Sequence, residues 1–184
     1  MAPEERSVEA SELARIPFLA DLSPEEVEAL CPAAVLREAA ADEVIFRQGD
    51  PSSELFLVLD GEVAIELHVA GASPRLLTTL GRGTVFGEVN FLLATARTAT
   101  ARALRPTRCV ALERPALDAL QGLGGVAVGH VMEKLARVLA LRLAHVDRQV
   151  AELGRRFLAT HPEALRLVED FERERTRLLH SWQG

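Results

Sequence analysis

The hydrophobic pattern changes period along the chain. In "SPEEVEALCPAA" (23–34) apolar positions recur at helical spacing, and Ser23 as N-cap, Pro24 at the first helical position and Glu26 at the capping-box position predict a short helix. From about residue 33 to 113 the texture becomes short runs: "EVIFRQ", "ELFLVL", "EVAIELHVA", "RLLTTL" and "RCVALE". Turn signals separate them, "GDPSS" at 49–53, "DG" at 60–61, "GASP" at 71–74 and "GRG" at 81–83. Strands at this spacing predict an antiparallel barrel or jelly roll, and "LVLDGEVAI" predicts a hairpin turning at Asp60 and Gly61.

After Pro115 the period becomes helical. "PALDAL" and a loose "QGLGG" precede a proline-free segment from about 126 to 153. Met132, Ala136, Leu139, Leu143, Val146, Val150, Leu153 and Phe157 recur at alternating steps of four and three, a heptad seam suited to pairing with a second copy. The alternative is one amphipathic helix lying on its own barrel, and a second stripe of Val131, Leu135 and Val138 suits that surface. Gly154 is expected to break the helix. Thr160 with Glu163 resembles a capping box opening a last helix, in which Ala164, Val168, Phe171, Leu178 and Trp182 repeat the spacing and Arg175 interrupts it. The expected organisation is a helical segment at 1–32, a β-roll at 33–114, a hinge and long dimerisation helix at 115–157 and a helical tail at 158–184.

Composition narrows the functions. At 184 residues and 48% hydrophobic the chain can bury a sizeable core, and a net charge of -6 argues against general attraction to nucleic acid. No apolar run approaches a membrane span, and "MAPEERSVEASELARI" lacks the basic start and apolar centre of a signal peptide, so a cytoplasmic protein with no membrane insertion is expected. Cys31 and Cys109 stand apart and read as small core residues, and His68, His130, His145, His161 and His180 are scattered singly. A metal centre, cluster or disulfide framework is unsupported, and a cupin-type enzyme would need several histidines where the strand region has only His68. No catalytic residues, metal or cofactor are expected; the protein reads as a non-enzyme.

Candidate chemistry concentrates in "FGEVNFLLATART" (86–98), where one carboxylate, Glu88, and one guanidinium, Arg97, stand among small and apolar residues. A carboxylate accepts hydrogen bonds from paired hydroxyls, and a guanidinium forks onto two phosphate oxygens. Together they suit a small molecule carrying a sugar diol and a phosphate. Gly87 allows close backbone approach, the intervening residues can form a helical turn whose N–H groups face an anion, and the Thr98 hydroxyl adds a donor.

"F-G-E-V-x-F-L" followed by "A-R-T-A-T-A-R-A" resembles the phosphate-binding cassette of the cyclic-nucleotide-binding domain family, which includes catabolite activator protein and protein kinase A regulatory subunits. "FLADLSPEEVEAL", "VIFRQGDPSSELFLVLDGEV" and "LGRGTVFGE" extend the resemblance over roughly residues 16 to 153. It implies an eight-stranded antiparallel, jelly-roll-like β-roll flanked by helices, which with the long C-terminal dimerisation helix and extra terminal helix read from the periodicity makes an α+β fold. The implied ligand is 3′,5′-cyclic AMP or cyclic GMP. Glu88 matches the acid that bonds the ribose 2′-hydroxyl, Arg97 the arginine that pairs with the cyclic phosphate, Thr98 the adjoining hydroxyl and Gly87 the glycine before the acid. Phe86 matches a core position, and Asn90 departs from a usually small residue while keeping its backbone N–H. No base contact is carried over.

The implied mechanism is ordering of residues 86–98, so that Val89, Phe91 and Leu92 shift against the helices after Pro115. Only 31 residues follow Leu153, with no two-helix reader or basic recognition face, so no direct DNA binding is expected. Output would pass through the dimer interface or an effector protein. The rival reading is a nucleotide-independent dimerisation or docking module that keeps the β-roll.

Overall fold

A computed structural model describes residues 6–120, 122–161, 171, 173–175 and 177. The chain forms two compact units, Met1–Leu135 and Ala136–Gly184.

In the first unit the N-terminal strand β1 (Arg6–Ser7) and helix α1 (Ala10–Leu13) lead through a 3-10 turn at Pro17–Leu19 to helix α2 (Pro24–Leu30). The expected capping box is formed: Glu26 N donates to Ser23 Oγ at 3.3 Å and Ser23 N donates to Glu26 Oε2 at 2.8 Å. These bonds satisfy two amide donors that a helix start leaves without partners.

The roll consists of β2 (Ala34–Ala39), β3 (Val44–Phe46), β4 (Glu54–Leu67), β5 (Arg75–Gly81), β6 (Val85–Phe86) and β7 (Thr100–Glu113). All pairings are antiparallel, in the order β1-β2-β7-β4-β5, with β3 also on β7 and β6 also on β4. The described residues thus hold seven strands against the eight implied by resemblance. Two of them, β4 and β7, are 14 residues long and pair along their whole length.

That pairing corrects the hairpin expected at Asp60 and Gly61. Both residues lie inside β4, where the register to β7 shifts between Val58 and Val63, and the actual reversal comes at 68–74, between β4 and β5. Gly61 has φ +107, and a Cβ there would lie 2.5 Å from Thr107 Cα. The glycine serves a bulge that lets two bent strands touch. Glu62 N donates to Thr107 Oγ1 at 3.2 Å, closing the irregular stretch.

Phe56, Val58, Val63, Phe86, Ala101, Cys109 and Ala111 form the interior of the roll, with Ile45, Phe46, Ile65 and Leu80 packed against it. Cys109 is buried as expected, while Cys31 is half-buried. Helix α3 (Glu88–Leu93) follows β6, and α4 (Arg114–Asp118) follows β7.

The long helix α5 (Leu123–Thr160) begins in the first unit, where Ala127, Val131 and Leu135 are buried. The second apolar stripe thus includes core residues. Two polar side chains hold this part of α5: His130 Nδ1 lies 2.8 Å from Glu26 Oε1, and Lys134 Nζ lies 2.8 Å from Asp21 Oδ2 while donating to Phe18 O at 3.0 Å.

In the second unit α5 continues through Gly154, correcting the expected break. An internal glycine costs a helix about 1 kcal/mol relative to alanine, too little to end one. Ion pairs from Glu152 to Arg155 (2.6 Å) and Arg156 (2.8 Å) span the position. Thr160 is the last residue of α5, its hydroxyl donating to Phe157 O at 2.9 Å. Glu163, Ala164, Val168, Leu178 and Trp182 lie outside the described residues; Phe171 and Arg175 are helical. Among the described residues no helix is long and apolar enough to cross a membrane.

Candidate functional site

Strand β6 pairs with β4 through Phe86 opposite Phe56 and Val85 opposite Leu57, so the chain reaches Gly87 from within the core. Gly87 has φ 79 and ψ 8, a left-handed conformation that turns the chain into α3 and puts Glu88 in the helix's first position. Glu88 is only 9% exposed. Helix α3 ends at Ala94, also left-handed at φ 52. The buried Asn90 side chain bridges the ends of this segment, its Nδ2 donating to Thr95 O at 3.2 Å and to Ala96 O. Asn90, at odds with the implied pattern, therefore acts as a latch on the loop that carries Arg97.

The loop docks on the 47–50 turn. Arg97 N donates to Asp50 O at 2.9 Å, Gly49 N donates to Arg97 O at 2.8 Å, and Gln48 N donates to Thr100 Oγ1 at 3.0 Å. These bonds fix Arg97, and its side chain points inward with the residue 2% exposed. Nη1 donates to Glu54 O at 3.0 Å and Gly87 O at 3.2 Å, and Nη2 donates to Ser52 Oγ at 2.6 Å. The guanidinium carbon lies 4.0 Å from the centroid of the Phe46 ring and 5.4 Å from that of Phe56. Nε has no hydrogen-bond partner. Burial pushes the guanidinium's pKa down, opposed by the nearby charges of Glu54, Asp50 and Glu88.

A buried donor without an acceptor is costly, on the order of 1–3 kcal/mol for a neutral group and more for a charged one. With Nη1 committed to two carbonyls, the edge of Arg97 suited to a two-oxygen acceptor is Nε with Nη2. The side chain is thus positioned as half of an anion fork.

The structure brings Phe86, Gly87, Glu88 and Arg97 to one turn. Phe86 stacks on Phe56 with centroids 5.0 Å apart, in the core position expected for it. Val89 is half-buried, and Thr98 is exposed. Arg114, at the start of α4, reaches the same segment: its Nη1 donates to Phe91 O at 3.4 Å and its guanidinium carbon lies 5.5 Å from the Phe91 ring centroid. Beyond Glu54 a cavity of about 320 Å³ opens between β2, β3, β4 and β7, lined by residues that include Arg37, Glu54, Phe56 and Cys109.

Residues 36–121, which run from β2 past α4 and contain the whole turn, match the family described as cyclic nucleotide-binding domain. This part of the chain belongs to that family. The chain is similar to a CRP-like cAMP-activated global transcriptional regulator of Mycobacterium tuberculosis, 26% identical over 178 residues that cover 88% of this chain and 78% of the regulator. A crystal structure of a cyclic nucleotide-binding domain from Methylobacillus flagellatus superposes with TM-score 0.69 at 26% identity, covering 78% of this chain and 83% of that one. Thermus thermophilus catabolite activator protein superposes with TM-score 0.65 at 33% identity, covering 75% of this chain and 63% of that one. Other relatives are longer: the chain spans 26% of a potassium channel protein from Rhodopseudomonas palustris.

Within the cyclic nucleotide-binding domain, the sequence reading missed the partners that hold Arg97. Phe46, Ser52 and Glu54 lie 43 to 51 positions earlier in the chain, so local spacing carries no sign of them. All three fall within the quoted segment "VIFRQGDPSSELFLVLDGEV", whose turn signal "GDPSS" contains Ser52 and ends just before Glu54.

Proposed function

We propose that the chain is a non-catalytic regulatory sensor that binds a 3′,5′-cyclic nucleotide, cyclic AMP or cyclic GMP, at the Gly87 turn. The observation that carries this reading is the buried Arg97 guanidinium, held by Nη1 with Nε unpartnered, on the same turn as Glu88. In this reading the phosphate oxygens accept from the Nε and Nη2 edge of Arg97, and Glu88 accepts from the ribose 2′-hydroxyl. The backbone of Gly87, Val89 and Asn90 lies against the sugar-phosphate, Phe86 backs the turn, and Thr98 offers a hydroxyl at the rim.

Signalling would pass from α3 to α4 through the Arg114 contact with Phe91. Ligand binding biases the helices after Pro115 by no more than its difference in affinity for their two arrangements. The exposed seam of α5 is read as the surface of a homodimer, and an effector protein would receive the signal.

A second reading, a docking module that needs no nucleotide, is favoured by the internal partners of Nη1 and Nη2, which hold Arg97 without any ligand. Titration calorimetry of nucleotide-stripped protein with cyclic AMP and cyclic GMP separates the two. The sensor reading expects micromolar binding or better, about -8 kcal/mol. Arg97→Leu leaves the phosphate facing an uncharged wall and is expected to cost on the order of 3–5 kcal/mol of that binding energy. Absence of binding by either nucleotide, or affinity retained in Arg97→Leu, would overturn the assignment.

A further inference from the structure

Resting on that reading, we infer that Ser52 and Glu54 form a built-in anion that competes with the nucleotide phosphate for Arg97, so that Glu54 sets ligand affinity from outside the ligand's contact shell. Arg97 Nη2 donates to Ser52 Oγ at 2.6 Å, and Ser52 Oγ in turn donates to Glu54 Oε2 at 3.3 Å. The hydroxyl passes the carboxylate's charge to the guanidinium, and Glu54 Oε2 itself lies 3.9 Å from Nη2. Of the edge that a phosphate would use, Nε is open and Nη2 already gives one of its two N–H groups to Ser52 Oγ.

The competition is eased by what lies behind Glu54. Its other oxygen, Oε1, is 3.2 Å from Arg37 Nη2, and the same Arg37 nitrogen is 3.7 Å from Glu113 Oε1. Glu54 and Arg37 both line the 320 Å³ cavity. A carboxylate released from Arg97 therefore has a second cation within reach and space to turn towards it. No charge is stranded by the exchange, which would otherwise be its main cost.

This arrangement gives two substitutions of opposite sign. Glu54→Gln keeps the shape and removes the competing charge, so cyclic nucleotide should bind more tightly. Arg37→Gln removes the alternative cation and leaves Glu54 concentrated on Arg97, so binding should weaken. Because the ion pairs involving Glu54 are partly exposed, each change is expected to be about three- to fivefold in Kd at low salt. Both effects should shrink as ionic strength rises.

The test is calorimetric titration of the wild type, Glu54→Gln and Arg37→Gln with whichever cyclic nucleotide the wild type binds, at low and high salt, with thermal unfolding confirming that each variant is folded. Tightening in the first variant, weakening in the second and attenuation of both by salt support the inference. If the wild type binds nucleotide but Glu54→Gln binds no more tightly, the inference fails and the sensor reading stands. If the wild type binds neither nucleotide, the sensor reading fails and takes this inference with it.

Discussion

Gly87 and Arg97 meet backbone to guanidinium: Arg97 Nη1 donates to Gly87 O at 3.2 Å, and a Cβ on Gly87 would stand 2.5 Å from that same nitrogen. The glycine thus makes two demands at once, a left-handed turn and room for the arginine. Gly87→Ala should destabilise the fold by about 1–3 kcal/mol, from the strain of a non-glycine residue at positive φ together with displacement of a fully buried side chain. Urea unfolding measures the stability term. Nucleotide affinity should fall as well, because the displaced group is the proposed phosphate ligand, and unchanged affinity would disconnect the turn from binding.

Asn90 gives a separate handle on the same loop. Its amide nitrogen holds the carbonyls of Thr95 and Ala96, both on exposed residues, so water can replace it when it is removed. Asn90→Ala is therefore expected to cost only about 1 kcal/mol of stability. The larger effect should be local: faster hydrogen exchange at the amides of residues 95–97 and weaker nucleotide binding, with exchange in β4 and β7 unchanged.

The parts of the molecule that could be read from sequence are those whose cause is local. The capping box at Ser23 and Glu26 needs four consecutive positions, and the glycine-acid turn at 87–88 carries its own backbone requirement. The errors came where a local signal has two physical uses. Asp60-Gly61 suits a tight hairpin, yet only the approach of Thr107, 46 residues after Gly61, shows that this glycine serves a bulge instead. Gly154 is a weak helix breaker, overruled by neighbouring turns that include Glu152, Arg155 and Arg156. The Ser52 and Glu54 partnership with Arg97 had no local signal, because it exists only once the roll has closed.

Cys109 supplies a test of the roll's interior. Burial pushes its thiol pKa up to about 12, from an ordinary value of 9.0. The raised value means that the folded state holds its proton more tightly than the unfolded chain does. Its contribution to stability is complete below pH 9 and is lost as the pH rises from there towards 12. At pH 8 a disulfide reagent should leave Cys109 unmodified until the protein unfolds. Cys31, half-buried and raised less by burial and the nearby Glu28 charge, should react slowly in the native state. Fast labelling of both thiols would show that the interior opens freely.

The seam of α5 makes the strongest demand for a partner. Leu143, Val146, Val150, Leu153 and Phe157 recur at four-three spacing within the second unit, and their exposure runs from 47% at Phe157 to 69% at Leu153. Isolated exposed apolar residues are ordinary, but five on one heptad stripe cover more than two turns of the repeat. Replacing Leu143 and Val150 with Glu would place like charges face to face across a two-fold coiled coil, while leaving a single helix soluble and intact. Sedimentation equilibrium should therefore give a dimer for the wild type and a monomer for the double variant, with the thermal unfolding of the β-roll little changed when the monomer is assayed alone. A wild-type monomer across micromolar concentrations would remove the dimer from the proposed mechanism and leave α5 to be bound by a different protein.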